Sequence, residues 1–424
     1  MPTKTLQNGG IVSTILLESV TQKKERISWD GDKILIVGSI FSNRGDQAMT
    51  YTAVDQLSRR FPDKECVVLT IHPHKVSNQS ALNFEVISLD ASLRAKSLNP
   101  LGRVAGIWGS SSFDEFKSVW EDAAFAVDIN GYVLSSQMGI DDTLSYILTL
   151  MVADEFEVPY YVLPQSIGPF DYNRLEHLFV DRLIKKYIEV PQMIFPREEH
   201  GVQALKSYSN RYTEQSPDIV LQHGEYDLKN IFINPPDINV PQFNNKTVGI
   251  IPNSRVFNRV SEQKLNETYR LVGKQLDDLG YNVVVMSHCT GDNELCESVH
   301  NAIGDGQLLN DSYNAIELEQ IINQFEFIIG SRYHSVVHAY KCGVPAIVIG
   351  WAVKYMELLQ QFDQLSYHFD CRTGINTNKI NDAVDKMSSH IETEQQKVIQ
   401  VRDKIRSNSV LDRVESDVRD HLNT

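Results

Sequence analysis

Short, unbroken apolar runs recur along this chain, each followed by residues at helical spacing, and that alternation leaves few folds open. The first run is Lys33-Ile34-Leu35-Ile36-Val37-Gly38. A continuous run, as opposed to an alternating one, marks a strand covered on both faces, as in a parallel sheet. Beyond a loop, Ala48, Tyr51, Val54, Leu57 and Phe61 recur every three or four residues, which predicts a helix closed by Pro62. Cys66-Val67-Val68-Leu69 completes a β-α-β unit. The same rhythm continues through strands predicted at 123–129, 160–163 and 193–195, with a helix over 175–187. It lapses between about 221 and 246, where Pro235, Pro236 and Pro241 fall among Asn, Asp and Gln, as in an interdomain linker. It resumes with strands at 247–251, 282–286, 325–329 and 346–349, and helices around 260–279 and 335–342.

The pattern therefore predicts an α/β protein of two Rossmann-like domains facing a cleft. Residues 1–31 are polar and aperiodic and are expected to be an N-terminal extension. Residues 32–225 form the first Rossmann-like domain, 226–245 the linker, 246–370 the second domain and 371–424 a charged helical segment. The last helix of that segment is expected to cross back to the first domain. Sheets of this kind bind ligands beyond the carboxyl ends of their strands, which places the site in the cleft.

Composition narrows the functions. The chain has 424 residues, 42% of them hydrophobic, enough for two ordinary cores. A formal net charge of -15 repels nucleic acid and anionic lipid over most of the surface, while leaving room for a local basic pocket that holds a small anion. Five scattered cysteines, Cys66, Cys289, Cys296, Cys342 and Cys371, argue against a disulfide framework and for a reducing compartment. The one apolar run near the start, Ile11 to Leu17, is too short to span a bilayer. A cytoplasmic, unprocessed protein is expected.

The segment richest in chemistry is Gly330-Ser331-Arg332-Tyr333-His334-Ser335. A strand is predicted to end at Gly330 and a helix to begin near Ser335, so that free backbone N–H groups face the cleft. Arg332 offers a planar fork for phosphate or carboxylate, and His334 exchanges a proton near neutral pH. The competing reading is a surface arginine and a core histidine. Asp46, in the loop before the first predicted helix, is a credible N-cap. Asn130, Gln165 and Ser166 lie just past strands, where polar contacts to a ligand are expected.

Several of these segments together resemble the polysaccharide pyruvyl transferase family. The C-terminal signature is similar in Gly330-Ser331-Arg332-Tyr333-His334, in Gly343-Val344-Pro345, and in Lys354 after Gly350-Trp351. Gly38 with Asn43-Arg44-Gly45-Asp46, Pro164-Gln165-Ser166-Ile167-Gly168-Pro169, Pro196-Arg197-Glu198-Glu199 and Pro217-Asp218 resemble upstream family elements, in the family order. The chain departs at Asn130-Gly131, where the family often has a Gly-Gly pair. The resemblance implies a GT-B-like fold and transfer of a pyruvyl group from phosphoenolpyruvate, as donor substrate, onto sugar hydroxyls as a ketal in cell-surface or exopolysaccharide biosynthesis. It implies no separate cofactor and no metal. Arg197, Arg332 and His334 would contact the donor, with two arginines from different domains clamping it, and Lys354 and the helix start at Ser335 would neutralise the departing phosphate. His334 would be the general acid. Asn43, Asp46, Asn130, Gln165 and Ser166 would face the acceptor, a sugar or lipid-linked saccharide. Such an acceptor is compatible with peripheral membrane association, and no nucleic-acid partner is expected. The alternatives are a GT-B glycosyltransferase using a nucleotide sugar, against which stands the lack of an acid between Ser335 and Pro345, and a non-catalytic saccharide-binding relative.

Metal sites have weak support. His72-Pro73-His74 lacks a third ligand, and the spacing of His288, Cys289, Cys296 and His300 matches no standard zinc motif. His334 and His338 share a helical face with no carboxylate to complete a triad. Asp141-Asp142 reads as the acidic start of a helix.

Overall fold

The computed structural model describes residues 29–98, 111–244, 246–310 and 313–422. Most of the expected N-terminal extension, with the Ile11–Leu17 run, lies outside the described residues. Two parallel sheets organise the chain. The first contains β1 (Lys33–Val37), β2 (Glu65–Thr70), β3 (Glu85–Ser88), β4 (Ala123–Asp128), β5 (Tyr160–Gln165), β6 (Met193–Pro196) and β7 (Tyr212–Thr213), in the order β3-β2-β1-β4-β5-β6-β7. The second contains β8 (Thr247–Ile251), β9 (Asn282–Met286), β10 (Gln307–Leu309), β11 (Phe327–Gly330), β12 (Ala346–Gly350) and β13 (His368–Asp370), in the order β10-β9-β8-β11-β12-β13. Each order reverses once, between β1 and β4 and between β8 and β11. Crevices for ligands open at such switch points.

The unbroken apolar runs are explained by burial on both faces. Ile34 and Ile36 of β1 enter a core that continues into the second lobe, while Leu35 and Val37 enter a separate core on the sheet's other face. Alternate side chains of a strand point to opposite faces, so every position of β1 after Lys33 must be apolar. Each such side chain contributes about 1.5–3 kcal/mol on full burial.

Two boundaries differ from the sequence reading. The helix Leu228–Ile231, inside the expected linker, belongs to the first lobe. Buried Asp55 accepts from Asp227 N (3.2 Å) and Asn230 Nδ2 (2.8 Å), and Asn83 N donates to Ile231 O (2.9 Å), so the chain is tied down there before the proline-rich stretch begins. The site helix starts at Tyr333, earlier than the Ser335 expected. The terminal helix Val410–Leu422 does return to the first lobe. Its Asp412 pairs with Arg60 (2.6 Å), Asp417 accepts from Tyr161 Oη (2.5 Å), and His421 stacks on Trp29 (4.5 Å between ring centroids). Leu411, Val414 and Val418 are fully buried beneath these polar contacts.

Candidate active site

The carboxyl ends of both sheets face one cavity of about 300 Å³, at the lower end of the usual range for ligand sites. Asn43, Asp46, Asn130, Arg197, Arg332, His334 and Lys354 all line it. Residues from positions 43 to 354 of the chain thus share one space, because each follows or flanks the end of a central strand.

Two glycines shape the first lobe's contribution. Gly38, directly after β1, has φ +95°, and a Cβ there would stand 2.5 Å from the Asn130 side chain. Gly45 lies in the first turn of the helix Arg44–Arg60, and a Cβ on it would stand 2.1 Å from the His334 ring. A side chain at position 45 would therefore push away the imidazole supplied by the other lobe. The cap of this helix is Asn43, whose side chain accepts from Gly45 N (3.1 Å), in place of the expected Asp46. Asp46 instead sits inside the first turn, held by Asn43 Nδ2 (2.9 Å), and is left to face the cavity. Burial pushes its carboxyl up to about 6, against the opposing pull of His334, Asn43, Arg197 and Lys354.

Arg197 follows β6 and is buried, with a partner the sequence reading did not assign to it. Its Nη1 donates to Asp218, its Nη2 donates to Gly131 O and to Ser166 Oγ (3.0 Å), and its guanidinium lies over the Tyr333 ring at 4.6 Å. The neighbouring Glu198 stands farther off at 3.9 Å and accepts from Ser166 Oγ (2.8 Å). Asp218 is fully buried and also lies 3.4 Å from His334 Nε2. Burial opposes its charge, yet Arg197 and His334 hold its carboxyl well below the usual carboxylate range. One carboxylate thus joins the arginine of the first lobe to the histidine of the second.

Arg332 caps the helix Tyr333–Cys342, and its Nε and Nη2 both reach Asp292 Oδ2 at 2.5 Å. Lys354 has no ion-pair partner among the described residues. Its ammonium is ringed by Tyr132 (4.8 Å), Tyr333 (4.9 Å) and Trp351 (5.6 Å). Burial, reinforced by Arg197, pulls the amine down to about 7, with Glu198, Asp46 and Asp218 acting the other way.

Three predicted contacts do not face the cavity. Gln165, the last residue of β5, points into the core, where its amide approaches Asp128 and Tyr146 at 3.4 Å each. Ser166 serves Arg197 and Glu198, and lines only a smaller pocket beside Tyr132 and Lys354. Ser335 is fully buried, and both its N–H (3.1 Å) and its hydroxyl (2.7 Å) donate to Arg332 O, so neither is offered to a ligand. Asn130 lines the cavity, anchored by its own N–H and amide to buried Asp128 Oδ1 (2.8 Å each).

Sequence reasoning missed Arg94, Tyr132 and Arg255, and weighed His288 only as a metal ligand, yet all four line the cavity. Their common signal was position just beyond a strand end or in the helix that follows, which alone selects too many residues. His288 meets buried His338 edge-on, with Nε2 and Nδ1 3.4 Å apart. Burial lowers both imidazoles, His338 to about 3, so the pair is neutral at ordinary pH. Among the described residues, no three His, Cys, Asp or Glu side chains gather as metal ligands would, and no helix is long and apolar enough to cross a membrane. All five cysteines are free thiols.

Solved structures similar to this chain share its two-lobed GT-B-like architecture. Phytolacca americana UGT2, determined with UDP-2fluoro-glucose and pterostilbene, is 13% identical with a TM-score of 0.53, covering 91% of this chain and 99% of its own. Medicago truncatula UGT71G1, determined with UDP-glucose, is 9% identical with a TM-score of 0.52, covering 92% and 99%. At such identities the likeness concerns the fold alone. No curated protein sequence matches the chain. The family model described as polysaccharide pyruvyl transferase matches residues 43–352, a span that begins at the cap of the first helix and ends beside Trp351. With that span holding Arg197, Asp218, Arg332 and His334, the chain belongs to the polysaccharide pyruvyl transferase family.

Proposed function

We propose that the protein transfers the pyruvyl group of phosphoenolpyruvate onto two hydroxyls of a sugar as a cyclic ketal, in the cytoplasm, during synthesis of a cell-surface or exopolysaccharide. The observation that carries this reading is the meeting of Arg332 and Lys354 with His334 and Asp46 around one small cavity, with the buried Arg197–Asp218 pair in its wall. A donor bearing both phosphate and carboxylate suits such a cationic set.

In this reading His334, oriented by Asp218, protonates the methylene carbon of the donor and leaves a cationic carbon at C2. A sugar hydroxyl attacks that carbon and gives up its proton, for which Asp46 and the imidazole are the nearest bases. The C2–O bond to phosphate then breaks, with Arg332 and Lys354 stabilising the leaving dianion. A second hydroxyl of the same sugar closes the ring and releases the second proton. One proton is retained on the new methyl group, and the other leaves with phosphate or solvent. Asn43, Asp46 and Asn130 take the acceptor hydroxyls. Nucleotide-sugar glycosyl transfer has less support, because the helix Tyr333–Cys342 offers no carboxylate to a ribose.

The test incubates the protein with phosphoenolpyruvate and a panel of sugar acceptors, following phosphate release and product mass. His334→Ala is expected to lower the rate about 10²–10⁴-fold while donor affinity stays within about tenfold. A near wild-type rate in that variant, or turnover of a nucleotide sugar without phosphoenolpyruvate, would overturn the reading.

A further inference from the structure

Arg94 is the least explained charge in the molecule. It sits in the helix Ala91–Ser97 after β3, is only 2% exposed, and lines the first lobe's end of the cavity. Its Nη1 donates to Ser145 O (2.6 Å) and Thr149 Oγ1 (2.8 Å), and its Nη2 donates to Ser145 Oγ (3.0 Å). All three acceptors are neutral. Of the five N–H donors of a guanidinium, two have no protein acceptor, and Nε is one of them. Asp90, the cap of its own helix, attracts the guanidinium from a distance without forming a hydrogen bond or salt bridge to it. A buried cation with unfilled donors and no carboxylate in direct contact is unfavourable unless a ligand completes it. The contrast with Arg197 is direct. That arginine also lies on the first lobe's wall, and it has Asp218.

Holding Ser145 and Thr149 explains a hydrogen-bonding residue here, but it does not explain a charge. The described wall on this side of the cavity includes Leu89, Met138, Tyr146 and Ile71, together with one carboxylate, Asp142. Burial lowers its pKa only to about 10, so it remains a cation at neutral pH.

We infer that Arg94 is an anion-binding residue of the acceptor site, so that the sugar accepted there carries a phosphate or a carboxylate. The inference rests on the proposed function for the assignment of the first lobe's wall to the acceptor. The arginine fork takes either oxyanion in the same way.

The probes are glucose 1-phosphate, methyl glucuronide and methyl glucoside, titrated calorimetrically into the full-length protein saturated with phosphoenolpyruvate so that the donor end is occupied. At least one charged probe is expected to bind about 10–100-fold more tightly than the neutral glucoside, the worth of one charge-assisted contact. The two charged probes against each other decide between phosphate and carboxylate. In Arg94→Gln, which keeps a donor for Ser145 O, that preference should collapse while affinity for methyl glucoside is unchanged. Equal affinity for all three probes in the wild type overturns the inference, and so does a preference that survives in Arg94→Gln. Should Arg94→Gln not fold, Arg94→Lys is expected to retain part of the preference, and the wild-type comparison still decides. Failure of the underlying reading shows differently, as absence of phosphate release with every acceptor and of phosphoenolpyruvate binding in the wild type.

Discussion

Arg197 and Arg332 stand just beyond strand ends in the two lobes, at β6 and β11, yet they are held in opposite ways. The side chain of Arg197 is 1% exposed, and its contacts to Asp218, Gly131 and Ser166 bind the carboxyl ends of β4, β5 and β6 to one another. The side chain of Arg332 is 20% exposed and is steadied by one carboxylate, Asp292. The first is committed to the architecture of the site and reaches His334 only through Asp218. The second retains an accessible face. Two arginines just past strand ends can thus differ in how far their charge is engaged by the protein and how much of it stays accessible, and burial together with carboxylate partners decides which.

That difference can be broken by measurement. The largest effect is expected from Arg197→Ala, which strands the buried Asp218 carboxylate and should cost about 3–5 kcal/mol of stability in urea denaturation. Arg332→Ala should cost less, about 1–3 kcal/mol, because water can reach the vacated site and solvate Asp292. Equal losses in the two variants would erase the distinction.

Arg332→Ala should in turn weaken phosphoenolpyruvate binding by about 10–100-fold, read by calorimetry, as removal of a charge-assisted contact to the donor. A binding constant unchanged from wild type would move the donor away from the second lobe's wall.

The smallest effect concerns pH. Lys354, with its amine near 7, is an ammonium below that value and neutral above it. Donor affinity should therefore fall as pH rises through 7, by about three- to tenfold between pH 6.5 and 8. Lys354→Arg, which stays charged, should flatten that limb. For the stability of the unliganded protein the sign is the reverse. A lysine depressed from 10.5 to about 7 favours the folded state most at high pH, and that contribution declines as pH falls toward 7.

How much of this was legible in the sequence follows from burial. The central strands were readable because both faces are covered, as at β1, β8 and β12, where unbroken apolar runs result. The four strands missed by apolar pattern, β3, β7, β10 and β13, are the four sheet edges. They are short and only partly buried, so they need no continuous apolar run and leave no strong mark. Gln165 and Ser166 show the same limit at a single step. One lies on each side of the end of β5, and the neighbouring loops alone determine that the amide enters the core and the hydroxyl turns to Arg197.

By itself the sequence determined the two-lobed parallel architecture, the family, and the segments that end at the cleft. Those properties are written in local spacing and in short contiguous motifs. Only the tertiary structure decided that Asp218 joins Arg197 to His334, that Gly45 makes room for an imidazole from the other lobe, and that Arg94 is buried among neutral hydrogen-bond acceptors. Each depends on distances between groups far apart in the chain. Electrostatic energy follows those distances and the surrounding burial, neither of which is encoded in neighbouring residues.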